Sequence, residues 1–279
     1  MSCRIHISAT FTAEPVQAPL QFLCDSAGLA VETGFAQYNQ VFQQFLYPGS
    51  ESGRNAAGVN VVLVRLEDWT GSAGHQWRPG DGADAARRIV STAGEFLAAL
   101  QEACERSPVP HIVLLCAESQ VTSTSEEFRK ASLEAAELFH GAIARIRGAH
   151  CLGPTDILRL YPAGQYDDPA SNRRGHIPYT PEYYAALALT IARRVYSLRA
   201  APRKVIVLDC DNTLWTGVAG GMSHGRGDRR AAALPAGVHA GPRPAGVHSV
   251  PVQQKCRSRC KPEPQKIPSP QIQPGQERV

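Results

Sequence analysis

The last part of the chain has no aromatic residue. Residues 221–279 contain no Phe, Tyr or Trp, although prolines and glycines are frequent there and basic residues outnumber acidic ones. Such a segment buries too little apolar surface to offset the loss of backbone entropy on folding. We therefore expect a disordered, basic tail over 221–279. Without aromatic side chains for base stacking, its charge predicts no specific binding of nucleic acid.

Long hydrophobic runs are also missing. No apolar stretch approaches the roughly 18 residues of a membrane span, and the first residues lack the apolar core of a signal peptide. The eight cysteines are scattered without a compact disulfide framework. We therefore expect a cytoplasmic protein with reduced thiols and no membrane partner.

Residues 1–220 hold every aromatic residue of the chain and have the pattern of a folded α/β protein. Short runs rich in Val, Ile and Leu alternate with longer segments of helical period, which is typical of parallel strands joined by crossover helices. The predicted strands are 4–8, 59–66, 111–116, 157–160 and 204–208. The predicted helices are 19–28, 83–106, 125–147 and 180–198. Ser125 and Thr180 have the positions of helix N-caps.

Two carboxylates follow the last predicted strand. Asp209 and Asp211 stand after the apolar run 204–208, and open α/β sheets bind ligands at such strand ends. One carboxylate can attack phosphorus, while the other protonates the leaving oxygen and later deprotonates water. Because the two negative charges repel, Mg²⁺ would be needed to hold both ionised. Thr213 would orient the loop or the phosphate. The alternative is that these aspartates form only a turn or a helix cap.

The string VIVLDCDNTLW resembles the first motif of the haloacid dehalogenase (HAD) superfamily of phosphotransferases, and DNTLWTGVAG resembles its FkbH-like branch. The resemblance implies that Asp209 is the nucleophile and a Mg²⁺ ligand. It implies that Asp211 is the general acid and base and also binds the metal. Cys210 between them is either a thioester-forming thiol or a buried, inert side chain.

The resemblance continues upstream, through SATFTAEPVQAPLQF, AQYNQVFQQFLYPGS, GVNVVLVRLEDW and RRGHIPYTPEYYAALALTIARRVYSLRAAPRKVIVLDCDNTLW. These segments resemble the N-terminal SGNH-hydrolase-like region of FkbH-type proteins. The resemblance implies an SGNH-like or flavodoxin-like parallel-sheet domain over 1–200. It also implies that 201–220 contains the first strand and the first motif of a HAD domain with a Rossmann-like fold. The implied activity belongs to polyketide or nonribosomal peptide biosynthesis. It removes phosphate from 1,3-bisphosphoglycerate, a phosphorylated three-carbon substrate, and loads the glyceryl unit onto an acyl carrier protein.

The match stops at Gly220. The acids of the tail, Asp228, Glu263 and Glu277, are not adjacent, so they offer no further acidic pair for the metal. We therefore expect an incomplete, truncated HAD domain with little or no turnover. A shifted or shortened reading frame would explain the change, and reading the DNA after the codon for Gly220 in all three frames tests this hypothesis.

A second candidate site lies in the N-terminal region. SGNH-type hydrolases place a serine after the first strand and a late histidine that acts as its base, and Ser8 and His176 stand at suitable places. Arg173, however, occupies the position three before His176, where that superfamily has an acid. One hypothesis is an esterase or acyltransferase at Ser8 and His176. The other is that His176 makes a structural hydrogen bond and that 1–200 docks a carrier protein without catalysis.

The aromatic and amide-rich stretch 38–48 has two interpretations. It lines a substrate or carrier-protein surface, or its apolar side chains pack in the core as one face of a helix, with Phe42, Phe45 and Leu46 buried. Asn60 is either part of a strand or a turn residue. Cys256 and Cys260 have weak zinc-ligand spacing and lie in a segment without an ordered scaffold, so we expect no zinc site.

Overall fold

A computed structural model describes residues 3–70, 82–120 and 122–200. The chain divides into two units, Met1–Ala200 and Ala201–Val279. The second unit lies outside the described residues, and so do the predicted strand 204–208, the first HAD motif and the tail. The predicted domains over 1–200, 201–220 and 221–279 therefore stay predictions.

A single parallel sheet forms the centre of the first unit. Its five strands run in the order β2-β1-β3-β4-β5, and every neighbouring pair is parallel. The strands are β1 (Cys3–Ala9), β2 (Val31–Phe35), β3 (Gly58–Val64), β4 (His111–Leu115) and β5 (Ala149–Leu152). This order is the flavodoxin-like doubly wound order. The predicted α/β fold with a parallel sheet is confirmed.

Helices cover both faces of the sheet. They are α1 (Gln17–Ser26), α2 (Val41–Leu46), α3 (Gly82–Arg106), α4 (Glu126–Ile143), α5 (Pro154–Leu160), α6 (Pro169–Gly175) and α7 (Pro181–Arg199). Side chains of α1, α5 and α7 share one core cluster with the sheet, and those of α2, α3 and α4 share the other. No helix within the described ranges is long and apolar enough to cross a membrane.

The central strand β3 is almost continuously apolar because both of its faces are buried. Val59, Val61 and Leu63 point into the cluster with α1 and α7, whereas Val62 and Val64 point into the cluster with α2, α3 and α4. Since both faces of a doubly wound sheet are buried, its central strands consist mainly of successive apolar residues. The sequence therefore identified this strand correctly.

Two helix starts were also predicted correctly. The Ser125 hydroxyl accepts a hydrogen bond from the Phe128 amide at the start of α4, and the Thr180 hydroxyl accepts one from the Tyr183 amide at the start of α7. In both cases a side-chain oxygen satisfies an amide that has no partner inside the helix.

The predicted strand 157–160 is wrong. Those residues belong to helix α5, and the fifth strand is Ala149–Leu152 instead. Gly153 and Pro154 start the helix directly after the strand, and Ile157 is buried in the core. A short apolar run fits a strand and a buried helix equally well, so periodicity alone could not separate the two.

The thiols of the described residues behave as expected. Cys3, Cys24, Cys104, Cys116 and Cys151 are all free. Cys116 at the end of β4 is buried, and burial, the largest cause, raises its pKa well above the ordinary value. A thiol that stays protonated in an apolar site is inert, so this one contributes packing.

Gly58 at the start of β3 cannot carry a side chain. Its φ is +145°, and a Cβ there would lie 1.9 Å from the carbonyl oxygen of Arg4 on β1. We expect Gly58→Ala to lower the free energy of unfolding by about 2 kcal/mol or more, because the backbone must shift away from an unfavourable conformation. Urea denaturation measures the change.

The matched control for this substitution is Gly94→Ala. Gly94 lies inside α3, and a Cβ there meets nothing within 4 Å. Alanine favours the helix over glycine by up to about 1 kcal/mol, so this variant should be slightly more stable. Equal stabilities of the two variants would show that the close approach at Gly58 is not a constraint.

Candidate functional site

The candidate site lies where the strand order reverses. From β1 the chain continues to β2 on one side, and from β3 it continues to β4 on the other. In doubly wound sheets the crevice at this point, beyond the carboxyl ends of the strands, is the usual ligand site. Thr10 and Thr12 follow β1, and the segment Arg65–Trp69 follows β3.

A cavity of about 710 Å³ opens at this place. This volume lies within the range of small-molecule sites, about 300–1,000 Å³. Its lining residues are Thr10, Thr12, Tyr38, Asn39, Val41, Phe42, Gln43, Asp68, Trp69, Arg88, Thr92, Asn172, Arg173, Arg174, Gly175 and His176. Five segments from distant parts of the chain therefore meet here.

Asp68 is a buried carboxylate held by several donors. Its Oδ1 accepts hydrogen bonds from Arg65 Nε at 2.9 Å and Nη2 at 2.5 Å, and its Oδ2 accepts one from the Thr10 hydroxyl at 2.7 Å. Burial by itself would raise the pKa of Asp68, but the Arg65 charge and the contact with His176 outweigh burial and lower it. Asp68 is therefore ionised at neutral pH.

Arg65 anchors this carboxylate from inside the protein. Only 1% of the residue is exposed, and its Nη1 lies 2.8 Å from Glu67 Oε1. Burial opposes its charge, yet the nearby carboxylates of Asp68 and Glu67 raise its pKa above the ordinary value. Glu67 in turn accepts hydrogen bonds from the amide and the hydroxyl of Ser119. The result is a fully paired, buried ionic cluster behind the cavity.

His176 reaches this cluster from the end of α6. It has a left-handed backbone conformation with φ of 50°, which is uncommon for a residue other than glycine and concentrates at functional sites. The loop is fixed because the Thr12 amide donates to the His176 carbonyl at 2.9 Å. The Thr12 hydroxyl also donates to the Gly175 carbonyl at 2.6 Å.

The imidazole of His176 lies between a carboxylate and a phenol. Its Nε2 is 3.0 Å from Asp68 Oδ1 and 2.9 Å from Arg65 Nη2, and its Nδ1 is 2.5 Å from the Tyr38 hydroxyl. The Asp68 carboxylate can only accept and the Arg65 guanidinium can only donate, so Nε2 bonds to one of them and not to both. We assign the ring proton to Nε2, which donates it to Asp68, so that Nδ1 accepts from the phenol. Tyr38, His176 and Asp68 thus form one chain of hydrogen bonds.

Tyr38 is the outermost member of that chain, with 51% of the residue exposed. Burial of its hydroxyl, followed by the charge of Asp68, raises its pKa above the ordinary value. The phenol is therefore protonated at neutral pH. It can pass its proton to Nδ1 while its oxygen accepts another proton from the cavity, which makes the three residues suited to proton transfer.

The structure does not bring the two N-terminal candidates together. His176 lines the cavity, but Ser8 lies inside β1, is only 3% exposed and does not line the cavity. With the proton on Nε2, the hydrogen-bond partners of the His176 ring are Tyr38 and Asp68 instead. In place of an acid at position 173, the ring contacts Asp68, which lies 108 residues before His176 in the chain.

The residues predicted to carry out phosphotransfer are not among the described cavity residues. Asp209, Cys210, Asp211 and Thr213 lie outside the described residues, so their roles and the Mg²⁺ site stay predictions. Within 3–70, 82–120 and 122–200, no group of three or more His, Cys, Asp and Glu side chains is placed to hold a metal ion.

Sequence reasoning missed Asp68, Arg65 and Tyr38. A signal existed for two of them, because Asp68 follows a buried strand within GVNVVLVRLEDW and Tyr38 opens the amide-rich stretch 38–48. Phe45 is buried and Phe42 lines the cavity, so the stretch both packs and forms the cavity wall. The prediction that Leu46 is buried is wrong. It is 60% exposed, because α2 ends there and presents its last side chain to solvent.

Asn60 is a strand residue and not a turn residue. It is buried in β3, where its Nδ2 donates to the Ser52 carbonyl at 3.1 Å and lies 3.2 Å from His111 Nε2. Asn55 donates to its Oδ1 at 2.9 Å. A fully partnered amide is tolerated inside an otherwise apolar strand.

The fold and the cavity define an α/β protein of flavodoxin-like strand order with an acid–base cluster at the point where the strand order reverses. No protein-family model matches the chain, and no curated protein matches it. The fold is similar to a solved structure of the N-terminal part of the protein BF1531 from Bacteroides fragilis, containing a phosphatase domain complexed with Mg.

That similarity has a TM-score of 0.60 at 14% sequence identity, over 78% of this chain and 58% of the other. This chain therefore covers less than two thirds of the BF1531 structure, and the likeness establishes the fold alone. The salicylyl-acyltransferase SsfX3 from a tetracycline biosynthetic pathway matches with a TM-score of 0.38 at 12% identity, over 71% of this chain and 55% of the other. We infer nothing about this chain from a similarity at that level.

Proposed function

We propose that the chain is a glyceryl transferase with an associated phosphatase step, and that the two reactions use separate sites. The His176 cavity serves acyl transfer from 1,3-bisphosphoglycerate to the thiol of an acyl carrier protein. Asp209 and Asp211 serve removal of the phosphate at the other end of the three-carbon unit, with Mg²⁺ neutralising the phosphate charge. The single observation that carries the proposal is the hydrogen-bonded chain of Tyr38, His176 and Asp68 at the cavity.

The described residues account for the proton in the acyl-transfer step. The carrier thiol gives its proton to the Tyr38 oxygen as Tyr38 passes its own proton to Nδ1 of His176. The sulfur then attacks the acyl carbon, the bond from that carbon to the phosphate oxygen breaks, and phosphate leaves with the electron pair. Asp68 stabilises the imidazolium that forms, because its carboxylate lies 3.0 Å from Nε2. The thiol supplies the nucleophile.

Two further features support the proposal. The fold is similar to that of the N-terminal part of BF1531, which contains a phosphatase domain, and the FkbH-like motif at 209–220 follows the described residues directly. The second candidate function is that this chain binds a carrier protein without transferring any group to it. The exposed position of Tyr38 at the cavity favours access by a long, flexible arm.

The test incubates the full chain with Mg²⁺, 1,3-bisphosphoglycerate and carrier protein and follows the carrier by intact-mass spectrometry. A thioester that keeps the remaining phosphate reports acyl transfer alone, whereas a glyceryl thioester reports the phosphatase step as well. We expect mainly the phosphorylated thioester, since the sequence predicts little phosphatase turnover. His176→Gln should slow thioester formation about a hundredfold, because a general base contributes at least that much.

Two variants separate the roles of the two sites. Asp209→Asn should leave formation of the phosphorylated thioester unchanged, while Tyr38→Phe should slow it because the relay is broken. The matched control is His140→Gln, which changes an exposed histidine on α4. Wild-type rates for His176→Gln with an unchanged far-UV spectrum would reject the cavity as the transfer site. Carrier binding with no thioester from any form would favour the docking alternative.

A further inference from the structure

We propose that Arg88, Arg173 and Arg174 form a subsite in the His176 cavity for a phosphate or carboxylate group of the ligand. This inference deepens the proposed function and rests on it in taking the same cavity as the ligand site. It adds the chemical class of the ligand, an anion with an uncharged polar portion, and the side chains that recognise its charge.

The charge of the lining carries the inference. The three arginines come from two elements on either side of the cavity, Arg88 from α3 and Arg173 and Arg174 from α6. Among the described residues, Asp68 is the one acid in the lining, and Arg65 pairs with its carboxylate from the protein interior. The cavity therefore carries an excess of positive charge, which raises the local concentration of an anionic ligand.

Two of the three arginines are held by a backbone contact and keep free donors. Arg88 Nε donates to the Thr70 carbonyl at 2.7 Å, and Arg174 Nε donates to the Ala170 carbonyl at 3.4 Å. These backbone contacts use one nitrogen of each guanidinium and leave the terminal nitrogens available. Two adjacent donors on a planar fork match the oxygens of a phosphate or carboxylate.

No acidic partner in the described parts of the chain competes for these groups at short range. None of Arg88, Arg173 and Arg174 forms an ion pair there within 4.0 Å. Arg174 does interact electrostatically with Asp168, whose pKa is lowered first by hydrogen bonds from Ser171 and only to a smaller extent by that arginine. Asp168 already caps α6 through the amides of Ala170 and Ser171, so it does not fill the cavity.

The other lining residues indicate the chemistry of the uncharged part of the ligand. Thr12, Thr92 and Asn172 provide neutral hydrogen-bonding groups, while Phe42 and Trp69 provide an apolar wall. The volume exceeds that of a single phosphate ion, so a ligand with an anionic end and a hydroxylated or amide-containing body fits. Two sources have this chemistry, a free phosphorylated hydroxy acid and the phosphate-bearing arm of a carrier protein.

Isothermal titration calorimetry of the full chain at low salt tests the subsite without any turnover. The probes are inorganic phosphate, 3-phosphoglycerate and phosphopantetheine, with glycerol as the uncharged comparison. We expect 3-phosphoglycerate or phosphopantetheine to bind more tightly than inorganic phosphate, and glycerol not to bind. The double variant Arg88→Gln, Arg174→Gln should weaken binding of the tighter probe at least about tenfold. The loss of a single charged contact worth about 1.4 kcal/mol already lowers the affinity by that factor.

The matched control is Arg129→Gln, which removes an exposed arginine of α4 that does not line the cavity. Preference for 3-phosphoglycerate identifies a free metabolite as the ligand, and preference for phosphopantetheine identifies the carrier arm. Absence of binding by all three anions overturns the subsite, and so does equal weakening by Arg129→Gln. If binding needs the arginines but His176→Gln leaves transfer intact, the proposed function fails and the subsite stands. If transfer needs His176 but no anion binds, the subsite alone fails.

Discussion

Replacing Arg65 by methionine is expected to lower the free energy of unfolding by about 3–5 kcal/mol, the cost of leaving buried charges without a partner. Arg65 lies 2.8 Å from Glu67 Oε1 and 2.5 Å from Asp68 Oδ1, and both carboxylates are almost fully buried. Methionine fills a similar volume but cannot donate. Urea denaturation followed by circular dichroism measures the loss.

The cause of that loss can be isolated. Adding Glu67→Gln and Asp68→Asn to Arg65→Met removes the unpaired charges, so the triple variant should recover part of the stability. The control pair is Arg4 and Glu51, which are 3.0 Å apart but whose side chains are 37% and 45% exposed. Arg4→Met should cost less than about 1 kcal/mol. Equal losses for Arg4→Met and Arg65→Met would contradict the role of burial, and a triple variant no more stable than the single one would contradict the role of charge.

Stability should also fall when the pH is lowered from about 6.5 to about 4, because of His111. This histidine at the start of β4 is 1% exposed, and burial lowers its pKa from 6.5 to about 4. Above pH 6.5 the ring is neutral in both the folded and the unfolded chain. Between the two values only the unfolded chain binds the proton, so unfolding becomes easier as the pH falls.

This contribution amounts to about 3 kcal/mol when the pH has reached 4, from a difference of about 2.5 pH units. His111→Gln removes the titration and keeps an amide that can hydrogen-bond with Asn60, so its stability should depend less on pH in this range. The pKa of His6 is also lowered chiefly by burial. Because His6 is still present in His111→Gln, part of the pH dependence of stability should remain in that variant. His140→Gln, at an exposed site on α4, should preserve the full dependence. Parallel curves for wild type and His111→Gln would contradict the assignment.

Local patterns predicted the parts of the fold that depend on local physics. Val59 to Val64 required a strand buried on both faces, and Ser125 and Thr180 required helix starts because their oxygens satisfy free amides. Strand β2 was not predicted because it lies at the edge of the sheet, where Glu32 is exposed and its other residues, such as Thr33, are only partly buried. An edge strand needs less apolar surface than a central one.

Most of the candidate site could not be predicted in the same way. His176 was recognised from the serine and late-histidine pattern of SGNH-type hydrolases, but that pattern pointed to Ser8 as its partner and to position 173 for its acid. The structure places Ser8 in the sheet and supplies Asp68 through the loop after β3. Because β1, β3 and α6 are distant in sequence, no spacing rule connects their side chains.

The sequence by itself determined the α/β class, the buried central strands and the two capped helices, since each follows from the period of apolar residues or from a single capping oxygen. Only the tertiary structure decided that Tyr38, Asp68 and His176 share one chain of hydrogen bonds and that three arginines face the same cavity. The physical reason is the reversal of strand order between β1 and β3. It directs the segments after these strands and the end of α6 to one crevice, and only the packing of the whole sheet fixes that convergence.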